Sequence, residues 1–340
     1  MPRKHRYWGL LAPMPAAILS MAARQCEDLG LEGIWAPQLW SPGFIPLGTA
    51  AAVTSRVKLG TGVVHAFSRS PLETACSALD LDLISGGRCV LGIGPTVRWW
   101  NEDWHGVHYG KPIPHLREAV QVIRWIIRQG YTGELGKWEG EYYQLNLDRF
   151  QPLTPPVRSD IPVYIPAVYE AACRLAGELA DGLPGHPIWC ERWILDRVAP
   201  AVAQGLSRAG RERAEFDLNI WLFVAPGPDK RECLADARAS VAFYASFTQY
   251  ERYFAACGFG DAARAIGRAA AAKDQAAMLR SCPDEMVDHF ALTGGIDDIR
   301  PRLERIGAAA DSFTLCVPFY GLGPDKVLAY NQRIAEAFYA

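Results

Sequence analysis

The sequence predicts an α/β protein built as a (β/α)8 TIM barrel with insertions, on three observations. Eight short apolar segments recur along the chain, and nearly every one is followed by a stretch with helical periodicity. The segments are apolar throughout and do not alternate with polar residues, the pattern of parallel strands buried on both faces. Eight such β–α units in one chain favour a closed barrel over an open doubly wound sheet. With 340 residues, 50% of them apolar, length alone suits either two domains or one barrel with insertions. No linker, repeat or low-complexity run marks a boundary. Residues 1–340 therefore read as one barrel domain with insertions near 95–113, 131–160 and 247–282.

The elements follow in order. A strand at 7–12 precedes a helix at 15–29, whose apolar positions Ile18, Ala22, Cys26 and Leu29 run to a stop at Gly30. The opening PRKHR-YWGLLAPMPAAILSMAA resembles a secretory leader, but Pro13 and Pro15 cut its apolar run into a strand and a helix. Strand 33–37 leads to a short helix near 44–55. Strand 58–66 leads to a helix at 71–85, which starts on the capping box Ser70-Pro71-Leu72-Glu73 and ends on Gly86-Gly87. Strand 89–94 runs into a long loop and then a helix at 114–129, with Leu116, Val120, Ile123 and Ile127 on one face. An extended excursion near 138–147 precedes strand 162–166 and helix 169–181. Strand 183–186 precedes helix 191–209, and strand 216–225 precedes helix 230–246. An alanine-rich helical stretch at 261–280 is an insertion. Helices at 284–292 and 297–309, strand 312–318 and helix 324–338 complete the chain.

The totals exclude several partners. The net charge is −2 without a long basic run, which speaks against nucleic acid or an anionic membrane surface. No apolar run reaches the ~18–20 residues of a membrane span. Nine cysteines without C-x-x-C spacing read as reduced, mostly buried thiols of a cytoplasmic protein, neither a disulfide frame nor a zinc site. His105, His108 and His115 share a loop, but their spacing fits no standard metal site, and no metal is expected. G-x-S-x-G, H-E-x-x-H and Walker motifs are absent.

The stretch LDLISGGRCVLGIGPTVR at 81–98 carries the densest glycine pattern. Gly92-Ile-Gly94 lacks the third glycine of a dinucleotide-binding turn, and no helix begins directly after it. Either the glycines allow close backbone approach at a barrel corner, or they open the carboxyl end of the fourth strand, where barrel enzymes bind ligands. His65 and His186 lie at strand ends on that same face and are the candidate proton carriers, since histidine titrates near neutrality. Trp40, Phe67, Trp99 and Trp100 either line an apolar substrate pocket or, as ordinary packing, fill the space under the long loop. The loop around 99–112 and the 247–282 insertion could act as lids.

Beyond these patterns, LGTGVVHAFSRSPLETACSALDLDLISGGRCVLGIGP resembles the luciferase-like monooxygenase superfamily, and most closely its deazaflavin branch, which uses coenzyme F420 and includes methylenetetrahydromethanopterin reductase. IPVYIPAVYEAACRLAGELADGLPGHP, FDLNIWLFVAP and DEMVDHFALTGGIDDIRPRLERI resemble the same branch, so that the likeness covers about 10 to 335. The resemblance implies a non-prolyl cis peptide at Gly62-Val63, with Val64 beside it, behind the tricyclic ring of the cofactor. It implies cofactor contacts at Gly92, Gly94, Pro95 and Thr96, and a phosphate partner in Arg98 or, alternatively, a surface ion pair there. The segment around Val168, Tyr169 and Ala171 opens a helix whose backbone N–H groups would receive the phosphate.

Three departures from that branch stand out. Relatives often have Gly-Pro where this chain has Tyr169-Glu170, which puts a carboxylate at the phosphate end. The Asp-His that often ends the second strand is Gln38-Leu39 here, which makes Gln38 a substrate contact. A strand-one carboxylate of the reductases is replaced within Leu10-Leu11. The resemblance thus implies an F420-dependent oxidoreductase, moving a hydride between deazaflavin and a small organic substrate with a carbonyl, imine or activated alkene. The alternatives are an FMN-dependent monooxygenase and a non-catalytic flavin-binding member. Family members are usually homodimers or higher homo-oligomers.

Overall fold

The structure is a computed structural model and describes residues 5–39, 41–152 and 154–339. Twelve strands are formed among them: β1 (Arg6–Leu10), β2 (Gly33–Ala36), β3 (Lys58–Thr61), β4 (Val64–His65), β5 (Cys89–Gly94), β6 (Lys137–Glu139), β7 (Gln144–Asn146), β8 (Val163–Tyr164), β9 (Gly182–Pro184), β10 (Asp217–Pro226), β11 (Ala291–Gly294) and β12 (Ser312–Cys316). The hydrogen-bonded order runs β10, β12, β1, β2, β3, β5, β8, β9 and returns to β10. This is the (β/α)8 barrel that the uniformly apolar strands predict. β6 and β7 form a separate antiparallel hairpin. Among the described residues no helix is long and apolar enough to cross a membrane.

Two compact units make up the chain. The first to consider holds 8–184 and 201–217. Its strands are tied by register pairs of one kind: Trp8 lies opposite Gly33, Trp35 opposite Gly60, and Tyr164 opposite Gly182. Trp8 stacks on Trp35 at 4.3 Å between ring centroids, and Tyr164 closes on both. A Cβ at Gly33 would strike the Trp8 ring, one at Gly60 the Trp35 ring, and one at Gly182 the Tyr164 ring. Each large ring therefore fills the room its neighbour's missing side chain leaves, which is how a core reaches full density without voids. The helix Pro71–Ser85 starts where expected, with Ser70 Oγ accepting the Glu73 N–H at 3.0 Å, and ends on Gly86 at φ 68°. At its end the buried Asp82 carboxylate accepts two bonds from Arg158, at 3.0 and 2.7 Å, and the Cys89 N–H at 3.0 Å.

The second unit holds 5–7, 185–200 and 218–339 of the described residues. β10 pairs with β12 over Asn219–Phe223 and with β11 over Phe223–Pro226. Asn219 ties these strands together: its amide donates to Ser312 Oγ (2.8 Å), while its carbonyl accepts from Trp221 Nε1 (2.7 Å) and Thr314 Oγ1 (2.9 Å).

Several boundaries differ from the expectations. The strand expected over 58–66 is broken: β3 ends at Thr61, and β4 resumes at Val64. The helix expected over 284–292 stops at Phe290, and Ala291–Gly294 is a strand, its apolar residues serving β10. The 261–280 stretch is two helices, Gly260–Ala271 and Gln275–Arg280, preceded by another at Thr248–Ala256. The helix at 191–209 contains a wider π turn at Ile194–Val198.

Candidate functional site

The break between β3 and β4 shapes the site of the first unit. The Gly62–Val63 peptide is cis. Gly62 N–H donates to the Ala36 carbonyl at 2.9 Å, and Thr61 Oγ1 donates to the Gly92 carbonyl at 2.7 Å. β4 then lies along β5, with Val64 opposite Ile93 and His65 opposite Gly94. A Cβ at Gly92 would run into the Thr61 carbonyl, and one at Gly94 into Pro166. At Gly92 backbone thus approaches backbone, and at Gly94 backbone approaches the Pro166 ring. Beyond β5, Thr96 holds φ at 51°, a region that costs a β-branched residue strain and persists only where neighbours enforce it. Those neighbours are Asn101, whose amide donates to the Pro95 and Val97 carbonyls (2.8 and 3.0 Å), and Tyr109, whose hydroxyl donates to the Thr96 carbonyl at 3.2 Å.

His65 is 2% exposed. Its Nε2 lies 3.2 Å from the Gln38 carbonyl. A carbonyl can only accept, so Nε2 carries the proton and Nδ1 is a bare acceptor. Among the described residues Nδ1 has no partner, and neither do the buried atoms Gln38 Oε1, Trp100 Nε1 and Asn101 Oδ1. The Trp100 and His105 rings each stand 5.6 Å from the His65 ring. Burial pushes the His65 pKa down from 6.5 to about 4, against the opposing pull of the Gln38 carbonyl. The expectation of titration near neutrality is therefore corrected: His65 is a neutral acceptor across the neutral range.

The other expected residues of this unit fall into three groups. Trp99 and Trp100 pack with Trp104 in an edge-and-stack cluster, 4.9–5.6 Å between centroids. Phe67 stacks on His115 at 3.9 Å. Arg98 is exposed, in an ion pair with Glu102 at 2.8 Å and over the Tyr109 ring. Val168 and Tyr169 precede the helix Glu170–Leu179, and Ala171 is an exposed residue of its first turn; Glu170 adds a carboxylate to that turn. Trp40 lies outside the described residues.

His186 belongs to the second unit. Its Nδ1 accepts the Ile188 N–H at 3.4 Å, which leaves the proton on Nε2, facing the Tyr250 hydroxyl at 3.2 Å. The ring keeps part of its surface open, yet lies deep enough that burial drives its pKa to about 3. It too is neutral near pH 7, contrary to expectation. Tyr244 packs edge-on against it at 4.9 Å, and burial holds the Tyr244 hydroxyl far above its ordinary range. No sequence motif marks Asn101, Tyr244 or Tyr250; the aromatic density of FYASFTQYERYF at 243–254 is the one sign of the latter two.

The sequence profile of luciferase-like monooxygenases matches residues 4–312. The 5,10-methylenetetrahydromethanopterin reductase of Archaeoglobus fulgidus is 31% identical over 319 residues, covering 91% of both chains. A Mycobacterium tuberculosis protein provisionally named a coenzyme F420-dependent oxidoreductase is 29% identical over 319 residues, covering 87% of this chain and 88% of that one. Among solved structures, the coenzyme F420-dependent tetrahydromethanopterin reductase of Methanopyrus kandleri shares the fold, with a TM-score of 0.83 over 98% of both chains at 23% identity. Barrel, profile and relatives agree, and the chain belongs to the luciferase-like monooxygenase family of oxidoreductases.

Proposed function

We propose that the protein is a coenzyme F420-dependent oxidoreductase that moves a hydride between the deazaflavin and a small organic substrate bearing a carbonyl, imine or activated alkene. One observation carries this reading. At His65 two buried acceptors, Gln38 Oε1 and His65 Nδ1, and one buried donor, Trp100 Nε1, have no partner among the described residues. Unpaired buried polar atoms are costly and call for a ligand that pairs them. The heteroaromatic edge of a flavin-type ring, with its N–H and carbonyl groups, has that complementary character, so the residues fit the group. When bound, the deazaflavin supplies the hydride. The backbone of Gly62, Val63 and Val64, with Gly92, Gly94, Pro95 and Thr96, would hold the ring, and Arg98 and the 168–171 segment its phosphate. Gln38, Trp40, Phe67, Trp99 and Trp100 would surround the substrate. His65, unprotonated at Nδ1, accepts a hydrogen bond or a proton. Homodimers or higher homo-oligomers accompany this reading.

The test is a parallel titration of the purified protein with F420 and with FMN, read by thermal shift and ligand fluorescence. F420 at a hundred times its dissociation constant should add about 2.7 kcal/mol of stability, FMN nothing. His65→Ala should weaken F420 binding. Binding of FMN alone would replace hydride transfer by oxygen chemistry. Binding of neither would point to Tyr169-Glu170 as the break with the family.

A further inference from the structure

Cys190, Cys257 and His289 come from three elements of the second unit. Cys190 precedes the helical turn Glu191–Trp193, Cys257 follows the helix Thr248–Ala256, and His289 lies in the last turn of the helix Asp284–Phe290. Their ligating atoms all lie within 4.8 Å of one another. Both cysteines are free thiols, with their sulfurs 3.7 Å apart. Disulfide sulfurs stand ~2.05 Å apart. Two thiolates on a tetrahedral zinc ion, each ~2.3 Å from the metal, stand about 3.8 Å apart.

We propose that Cys190, Cys257 and His289 form a Cys2His site for a zinc ion, with a fourth position left for water. The donor set suits this borderline-soft metal. Two thiolates and a neutral imidazole around Zn2+ also leave no net charge to bury. Cys190 is buried, whereas Cys257 and His289 are half-buried and give the ion a way in. The surroundings hold the ligands in place. The Tyr253 hydroxyl accepts the Cys190 N–H at 3.0 Å and donates to the Ile188 carbonyl at 2.7 Å. The same buried ring packs on Phe290, the neighbour of His289, at 5.6 Å. Such outer contacts fix ligand direction and are part of what makes a metal site. A bound ion would staple the segment that follows His186 to the helices at 248–256 and 284–290, independently of any flavin-type cofactor.

Cobalt tests the proposal. Full-length protein, reduced and freed of metal with a chelator, is titrated with Co2+ alone. The expected result is a thiolate-to-cobalt charge-transfer band in the near ultraviolet with tetrahedral ligand-field bands in the visible, both abolished by one equivalent of Zn2+. Cys257→Ser and His289→Gln, at half-buried positions that tolerate change, should weaken cobalt by more than ~100-fold, beyond the loss typical of outer-shell changes. Cys76→Ser, outside the cluster, should leave the spectrum intact. The proposal falls if no such bands develop, if they survive in the Cys257→Ser/His289→Gln double variant, or if the isolated protein carries Cys190 and Cys257 as a disulfide.

Discussion

His65 and His186 each owe their proton position to one neighbour: the Gln38 carbonyl takes the N–H of the first, and the Ile188 N–H claims the lone pair of the second. Their pKa values, about 4 and about 3, lie below the 6.5 of the unfolded chain. The unfolded state then binds more protons as pH falls, so both contribute stability above pH 6.5 that is lost on acidification towards their folded values. At ~1.36 kcal/mol per pH unit, about 3 kcal/mol is at stake in His65. The thermal midpoint should fall steeply from pH 6.5 to 4, and His65→Asn should flatten that fall; an unchanged slope would mean His65 does not carry it. The sequence places both histidines at strand ends, which is legible from the run of apolar residues before them. It does not show their charge state, because that depends on burial and on a carbonyl 27 residues away. Cys190, Cys257 and His289 are illegible for a like reason, since 67 residues separate the two cysteines.

Among elements, the register pairs Trp8–Gly33 and Trp35–Gly60 make the sharpest demand. Gly33→Ala and Gly60→Ala should each cost about 1–3 kcal/mol in urea unfolding, because the added methyl meets an indole with no room to yield. Trp8→Phe, placed on Gly33→Ala, should recover part of that loss, whereas placed on Gly60→Ala it should recover little. Asp82 joins the end of helix Pro71–Ser85 to Arg158 and to β5, so Asp82→Ala should cost about 3 kcal/mol. Arg128→Ala, removing a half-exposed partner of Asp160, should cost no more than about 1 kcal/mol. The element plan was readable because barrel strands are apolar on both faces and their helices are periodic. Two of the misses have one cause. Ala291–Gly294 continues the apolar pattern of the helix before it, and Gly62-Val63 interrupts pairing without interrupting hydrophobicity, so neither boundary leaves a mark in the pattern.

For the whole molecule, the expectation of reduced thiols turns into a count. All nine cysteines are free, with Cys89, Cys173, Cys190, Cys233, Cys282 and Cys316 buried. A thiol reagent should find nine groups in denaturant and leave those six unreacted in the native protein; fewer than nine in denaturant would reveal a disulfide. The barrel itself was legible in the alternation of eight strands with helices. The identity of the substrate was not. The stacked Trp8 and Trp35 have one further consequence. Two indoles 4.3 Å apart and tilted by 16° are close enough for their electronic transitions to couple. Their coupled transitions should give the protein a near-ultraviolet circular dichroism signature that vanishes in Trp8→Phe. Light alone would then report whether β1 and β2 have met in register.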